Sequence, residues 1–285
     1  MNKQDFRFFD RLRVRWAEID AQKIVFNGHY LMYFDTAMTA YWRALALPYA
    51  ATMESLGGDL YVRKATLEYF ASARQDDVLD IGMRCARIGN SSILFTGAVF
   101  RQSELLVSGE IVYVFADPHS QTSKPVPEPL RKLLLGFEAG EAVLDVRIGS
   151  WEQLGQAARA LREEVFIVEQ KIPAALEWDA ADAGAIHAVA FNRFDVPLAT
   201  GRLILEQGAP ARIGRMATSR LARSSGVGRE VLDALIDAAR SRGLAVLTLN
   251  AQTSAQNFYL RAGFAPHGDV FEEAGIPHIE MRRAL

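Results

Sequence analysis

Residues 14–45 read VRWAEIDAQKIVFNGHYLMYFDTAMTAYWRAL. Within them Tyr30, Phe34, Met38, Tyr41 and Leu45 recur every three or four residues and draw one apolar stripe, the spacing of an amphipathic helix. Asn27 is placed to cap its start, and Pro48 stops the pattern. Downstream the period shortens to that of strands, over 61–70, 78–87, 91–100 and 104–116. Residues 111–116, IVYVFA, are apolar on both faces, as in a strand covered on both sides. Ile88-Gly89-Asn90 and Arg101-Gln102-Ser103 read as hairpin connections. One long helix followed by four successive strands predicts an α+β domain, an antiparallel sheet around a helix.

The second half alternates. The spacing predicts a helix over 151–168 and strands over 186–194 and 198–206 that turn at Asp195-Val196-Pro197. A strand over 211–218, a helix over 228–242, a strand over 245–249, a short helix over 254–262 and a last strand over 277–282 follow. This is a mixed α/β pattern. Between the halves, residues 117–145 carry Pro118, Pro125, Pro127 and Pro129. Proline fixes φ and removes a donor, so 118–129 is expected to run extended, with a short helix from Pro129 to near Gly136. The expected domains are 1–138 and 139–285, joined by a proline-rich linker that permits independent motion.

Composition narrows the function. The chain has 285 residues, 50% hydrophobic and 23% charged, enough for two domains with cores of their own. Its 32 Lys+Arg nearly balance 34 Asp+Glu, and split after Glu138 the two halves hold 16 against 16 and 16 against 18. Neither half has the basic excess of a nucleic-acid binder. Cys85 is the single cysteine, which excludes an intramolecular disulfide and a thiolate-cluster metal site, and no metal is expected. The charged N-terminus MNKQDFRFFDRLRVR offers no signal peptide, and no uncharged apolar stretch reaches the ~18 residues of a membrane span. A soluble cytoplasmic protein is expected.

Two places carry chemistry. Asp20 stands between the first strand and the long helix, in the loop Ala21-Gln22-Lys23-Ile24-Val25-Phe26-Asn27-Gly28-His29. A helix start offers unpaired N–H donors and a positive dipole end, and Gly28 lets a ligand approach the backbone. Such donors can hold a thioester carbonyl and its oxyanion while a carboxylate attacks or activates water. Residue spacing alone favours Asp20 as a turn residue, since aspartate is common in turns. In the second half, Arg223-Ser224-Ser225-Gly226-Val227-Gly228 precedes a helix with Val231, Leu232, Leu235 and Ile236 on one side. Small residues let successive N–H groups face one anion, and a pyrophosphate is the natural ligand. No Gly-Lys-Ser/Thr follows, so this is not a Walker A loop, and the spacing does not fit a Rossmann fingerprint.

The block 14–20, VRWAEID, with Ile24-Val25-Phe26-Asn27-Gly28-His29-Tyr30, 62–70, VRKATLEYF, and Ala73-Arg74-Gln75-Asp76-Asp77, resembles the hotdog-fold acyl-CoA thioesterases. The branch is that of 4-hydroxybenzoyl-CoA thioesterase and the Tol–Pal-associated thioesterases. The resemblance implies a hotdog fold, Asp20 as the catalytic carboxylate, acyl-CoA bound near Gly28 and His29, and a homo-oligomer formed through this domain. His29 is either a donor to the substrate carbonyl or a first-turn packing residue. The family often has Gly-Gly where this chain has Gln22-Lys23, often His at Asn27, and usually Glu at Asp35. Asp35 is a second carboxylate that either assists or is structural. Glu68 and Tyr69 are read as scaffold or dimer residues.

The segment around Arg223, Gly226 and Gly228 is similar to motif A of the GNAT superfamily of N-acetyltransferases, whose loop reads Gln/Arg-x-x-Gly-x-Gly/Ala. The strand Ile213-Gly214-Arg215-Met216-Ala217-Thr218, then Asn250-Ala251-Gln252 and Ala255-Gln256-Asn257-Phe258-Tyr259-Leu260-Arg261-Ala262-Gly263-Phe264, continue the likeness. It implies that Met216, Ala217, Thr218, Arg223, Gly226, Val227, Gly228 and Asn257 bind acetyl-CoA. It also implies that Tyr259 protonates the leaving thiolate, the alternative being that Tyr259 packs on the cofactor. Glu169, His187 and His278 are candidate bases. The combined expectation is a two-enzyme fusion. The first half hydrolyses acyl-CoA and the second passes acetyl from acetyl-CoA to an amine acceptor. CoA thioesters are then substrates, and no cofactor is tightly bound. The alternative is a thioesterase whose second half is a non-catalytic acetyl-CoA sensor or scaffold.

Overall fold

The computed structural model describes residues 1–205 and 210–285. The chain folds as two compact units, Met1–Val143 and Leu144–Leu285. Unit one runs β1 (Phe8–Arg13), α1 (Asn27–Ala44), α2 (Tyr49–Ser55), β2 (Asp59–Tyr69), β3 (Val78–Ile88), β4 (Ser92–Arg101), β5 (Glu104–Ala116) and α3 (Glu128–Glu138). The five strands make an antiparallel sheet in the order β1-β3-β4-β5-β2. Helix α1 lays Tyr30, Phe34, Ala37, Met38 and Tyr41 against it, all buried. Gly97 of β4 and Gly109 of β5 are cross-strand partners beneath Phe34. A Cβ on Gly97 would come 2.5 Å from the Phe34 ring, and one on Gly109 2.9 Å from it. The glycine pair is what lets the helix sit close on the sheet. This is the hotdog arrangement that the sequence predicts.

Three expectations change. Asn27 does not cap α1: it is the first helical residue, and Phe26 occupies the cap without a side-chain hydrogen bond. The loop ahead of the helix closes through the Phe26 N–H on the Glu18 carbonyl, which fixes where the helical turn starts. The proline-rich stretch is not a free linker. Lys124 N–H donates to the Phe115 carbonyl and Val126 N–H to the Asn90 carbonyl, with Val126 buried. Helix α3 follows it onto unit one, where Glu138 accepts hydrogen bonds from the Tyr41 hydroxyl and the Cys85 N–H. Along β5, Ile111, Tyr113 and Phe115 are buried while Val112 and Val114 are half-buried, so its two faces are covered unequally.

Unit two runs β6 (Leu144–Gly149), α4 (Trp151–Arg162) continuing into a π-helical turn (Glu163–Glu169), α5 (Ala174–Glu177), β7 (Ile186–Asn192), β8 (Pro197–Ile204), β9 (Ala211–Thr218), α6 (Val227–Arg240), β10 (Val246–Gln252), α7 (Gln256–Leu260), β11 (Ala265–Glu273) and β12 (Ile276–Ala284). The strand order is β11-β12-β10-β9-β8-β7-β6. Leu154, Ala158 and Leu161 of α4 pack on Val189 and Phe191, while Val231 and Leu235 of α6 reach Gly201. Gly201 pairs with Ala188, the neighbour of Val189, so the two helices cover opposite faces of the sheet. Ser150 caps α4 in a box with Gln153. Strands β9 and β10 are the parallel pair, and they pair only from Leu247↔Ala211 to Leu249↔Ile213. Beyond that they part and open a cleft.

The β7–β8 turn uses residues 193–196, so Pro197 opens β8 and Phe194 lies in the turn instead of the strand. Asn192 shapes that turn, its Oδ1 accepting from the Phe194 and Val196 N–H groups. Glu206, expected to end β8, lies outside the described residues. Among the described residues no helix is long and apolar enough to cross a membrane.

Candidate functional site

In unit one, a 3-10 turn, Trp16–Glu18, leads into the Asp20 loop. Glu18 is 3% exposed. Its carboxylate accepts from the Arg15 N–H (2.7 Å), the Arg15 guanidinium (2.7 Å) and the Tyr33 hydroxyl of α1 (2.8 Å). Burial opposes its ionisation, but these three donors outweigh burial and hold the carboxyl below its usual range. Ile19 then bridges Val25, and Phe26 N–H donates to the Glu18 carbonyl at 3.0 Å. The chain after Asp20 is thereby returned to the start of α1. Glu18 was not singled out from the sequence. A buried carboxylate two residues before Asp20 carries no pattern of its own.

Asp20 is half-buried at the tip of this loop. Its Oδ1 accepts from the Gln22 N–H at 2.8 Å, and its backbone pairs with Ile24. Its Oδ2 accepts no hydrogen bond among the described residues. Lys23 has φ +62°, the left-handed region that favours glycine. That explains why a glycine suits this position, and how the turn survives with Lys23. The N–H groups of Asn27 and Gly28 donate to nothing among the described residues, so the start of α1 has open donors. His29 is half-buried, its N–H donating to the Phe26 carbonyl at 2.9 Å and its ring edge-on to the Phe26 ring at 5.8 Å, with no hydrogen bond to the ring nitrogens among the described residues. Tyr69 ties the end of β2 to this corner through its hydroxyl and the Asn27 carbonyl, at 3.2 Å. Asp35 is exposed on α1, turned away from the buried stripe, which favours a solvated role over an assisting one.

In unit two the loop before α6 forms a cradle. Gly226 has φ +89°, and an added Cβ would meet open space. Ser224 is also left-handed, with φ +66°. A cavity of about 480 Å³ lies here, lined by Thr218, Ser224, Gly226 and Gly228 with the guanidinium groups of Arg223, Arg229 and Arg261. A helix start lined by three arginines, two of them paired with carboxylates, offers donors suited to an anion. Arg229 is held in place by Asp233 (2.7 Å) and by the Arg261 carbonyl (3.0 Å). Arg223 forks onto Glu169, with both contacts at 2.6 Å, and this pairing holds the Glu169 carboxyl below its usual range.

A second cavity, about 510 Å³, shares Thr218 and Arg223 with the first and reaches Met216, Gln252, Tyr259 and His278. It occupies the cleft where β9 and β10 part. Tyr259 is 8% exposed, and its hydroxyl has no hydrogen-bond partner among the described residues. Burial pushes its phenol up to about 12, so it stays protonated at neutral pH. The Nδ1 of His278 lies 2.8 Å from the Ile276 carbonyl. A carbonyl only accepts, so Nδ1 carries a hydrogen, and in the neutral ring Nε2 is the nitrogen that holds the lone pair. The candidate bases therefore separate. Glu169 is locked to Arg223, and His187 is buried away from the cavity with Nε2 on the Asp182 carbonyl at 2.9 Å. Burial lowers the His187 pKa and keeps that ring neutral. His278 alone of the three lines the cavity. Val227 and Ala217 are buried, and exposed Asn257 lines neither cavity.

Behind this cleft lies an ion network with no motif in the sequence. Arg162, 1% exposed, pairs with Glu177 and Asp182, and Arg202, 4% exposed, with Asp182 and Asp179. Arg202 and its neighbours hold the Asp179 carboxyl down at about 2.

Comparison with known proteins follows the same division. The thioesterase superfamily model matches residues 22–108, and the acetyltransferase (GNAT) domain model matches 152–285. The chain fuses a thioesterase-superfamily domain to a GNAT acetyltransferase domain. Over 124 residues it is 36% identical to the uncharacterized N-acetyltransferase YjcF of Bacillus subtilis, covering 43% of this chain and 87% of that protein. Over 131 residues it is 29% identical to the acyl-CoA thioester hydrolase YbgC of Escherichia coli, covering 46% and 96%. A solved acyl-CoA N-acyltransferase from Pseudomonas aeruginosa aligns with TM-score 0.46 and 35% identity, over 50% of this chain and 99% of that one. The GNAT match contains both the π-helical turn and the cradle, and the thioesterase match begins two residues after Asp20.

Proposed function

We propose that the fusion is a bifunctional CoA-thioester enzyme, with hydrolysis assigned to residues 1–138 and acetyl transfer to 139–285. One observation carries the reading. Unit one has open backbone donors at a helix start that follows the Asp20 loop, and unit two has a helix start whose cavity shares Thr218 and Arg223 with the one lined by Tyr259 and His278. In unit one, the α1 N–H groups bind the thioester carbonyl and its oxyanion. Asp20 Oδ2 takes a proton from water as the water oxygen bonds to the acyl carbon. The carbon–sulfur bond then breaks, and free acid and CoA thiolate leave.

In unit two the cradle at Gly226 and Gly228 takes the pyrophosphate of acetyl-CoA, and the open edge of β9 at Met216–Thr218 takes the pantetheine arm. An amine nitrogen attacks the acetyl carbonyl while His278 Nε2 accepts its proton. The carbon–sulfur bond breaks, and Tyr259 gives its hydroxyl proton to the sulfur. The two chemistries need opposite treatment of water, which favours separate sites.

The hydrolase unit also has the surface of an oligomer. Strand β2 is eleven residues long, lies at the sheet edge, and leaves Val62, Tyr69 and Phe70 exposed at 57%, 50% and 58%. A long edge strand of this kind is a template for pairing with another chain. A homo-oligomer through the hotdog domain fits it. The test is a panel of acyl-CoA esters of varied length and aromaticity, with free thiol followed with and without added amines. Thiol release without amine supports hydrolysis, and amine-dependent release with an N-acetyl product supports transfer. Release that responds to acetyl-CoA with no acetylated product supports the sensor alternative instead.

A further inference from the structure

We propose that the acetyl acceptor of unit two carries a carboxylate beside its amine, and that Arg215 is the residue that recognises it. The inference deepens the acetyltransferase reading above and rests on it. Arg215 has φ +52°, in a bulge of β9 where the pairing with β8 slips between Thr200 and Arg202. The same cavity wall holds Arg202, and the cavity reaches Tyr259 and His278. Its volume of about 510 Å³ falls within the roughly 300–1,000 Å³ of small-molecule sites.

Most of the guanidinium is anchored. Nε donates to the Glu177 carbonyl (3.2 Å), and Nη2 to the Leu176 carbonyl (3.1 Å) and to Asp179 (3.2 Å). Nη1 donates to nothing among the described residues. Arg202 shows the same shortfall. Its Nη atoms are held by Asp179 and Asp182, while its Nε is buried with no partner. Arg215 therefore has Nη1 to spare on the cavity wall, and the Arg202 Nε beside it is buried without a partner. Arginine has no acceptor, so only a hydrogen-bond acceptor can satisfy Nη1, and a carboxylate oxygen makes the stronger bond. Glu177 and Asp179 already pair with these guanidinium groups and hold them in place. The other end of the cavity, with the His278 lone pair and the Tyr259 hydroxyl, suits the amine.

The test uses the full chain with acetyl-CoA and pairs of acceptors that differ by the carboxylate: L-lysine against 1,5-diaminopentane, and L-phenylalanine against 2-phenylethylamine. Within a pair the carboxylated member is expected to show at least about tenfold higher kcat/KM, since a site built to bond a polar group rejects an analogue lacking it. Arg215→Gln erases that preference by raising KM for the carboxylated member, and Arg215→Lys keeps part of it. Calorimetric titration with acetyl-CoA shows that each variant is folded and retains the donor site. Equal or better use of the decarboxylated amines, or an undiminished preference in Arg215→Gln, overturns the inference and leaves acetyl transfer standing. Wild-type protein that binds acetyl-CoA and acetylates none of the amines overturns both.

Discussion

Replacing Glu18 with Gln tests how the hydrolase loop is held. The carboxylate receives three donors, from the Arg15 N–H, the Arg15 guanidinium and the Tyr33 hydroxyl, at 2.7, 2.7 and 2.8 Å. Gln keeps the volume but presents one acceptor oxygen and an NH2 group where three donors converge. Tyr33 can rotate its hydroxyl to accept, whereas the Arg15 groups cannot. The expected loss is about 1–3 kcal/mol, the range for hydrogen bonds to a charged group. Arg15 is largely exposed, which keeps the value toward the low end. For a unit of this size that corresponds to a fall in Tm of roughly 3–9 °C. Because the Glu18 pKa is lowered on folding, its contribution is present above the unfolded carboxyl range and fades as pH falls through the folded value. The wild type should therefore lose more stability than Glu18→Gln does as pH falls from neutral to below the ordinary glutamate range. Thermal unfolding across pH, with thiol release as the activity assay, reads all of this. Hydrolysis should fall although Asp20 is intact, because the loop closure onto Phe26 loosens. A variant with wild-type Tm, the wild-type pH profile and full thiol release would refute the reasoning.

Other outcomes follow from unit two. Arg162→Gln removes one of two guanidinium partners from each of the buried carboxylates Glu177 and Asp182, and should destabilise the unit in denaturant unfolding by less than the roughly 3–5 kcal/mol of a fully unpaired buried charge. Tyr259→Phe should lower kcat for acetyl transfer by ~10²–10⁴ with little change in acetyl-CoA affinity. Since burial pushes Tyr259 up to about 12, its acid form persists on the alkaline side. A kcat break at pH 8–9.5 that disappears in Tyr259→Phe would contradict that. Gly226→Ala, at φ +89°, should cost roughly 1–2 kcal/mol in the cradle and weaken acetyl-CoA binding in calorimetric titration.

Both folds were legible where periodicity was strong. The stripe from Tyr30 to Leu45 lies on the buried face of α1, and the β3, β4 and β5 runs end within a residue or so of their expected bounds. Strands β6 and β11 were missed. Leu144–Gly149 alternates Leu144, Val146 and Ile148 with Asp145 and Arg147, but the run is only six residues long and directly follows the proline-rich stretch, whereas every residue of Ala265–Glu273 is exposed, so β11 has no buried face to mark it. The proline run looked like a linker because proline composition reports extended backbone and says nothing about what that backbone pairs with. The motifs placed Asp20 and the Gly226 loop, but not the partners that hold them. Glu18 and the Arg162–Asp182–Arg202 network act through long-range contacts, which leave no local spacing to read. The separation of Glu169, His187 and His278 also required coordinates, since it turns on which side chain faces the cleft.

The most direct measurement is thiol release by Asp20→Asn, followed without amine and then with amine and acetyl-CoA, against the wild type. The substitution removes the charge and keeps the shape. The account predicts that amine-independent release is lost while amine-dependent acetyl transfer continues at the wild-type rate. Undiminished hydrolysis in Asp20→Asn, or the loss of both activities in a protein that remains folded, would contradict two separate sites with Asp20 serving the first.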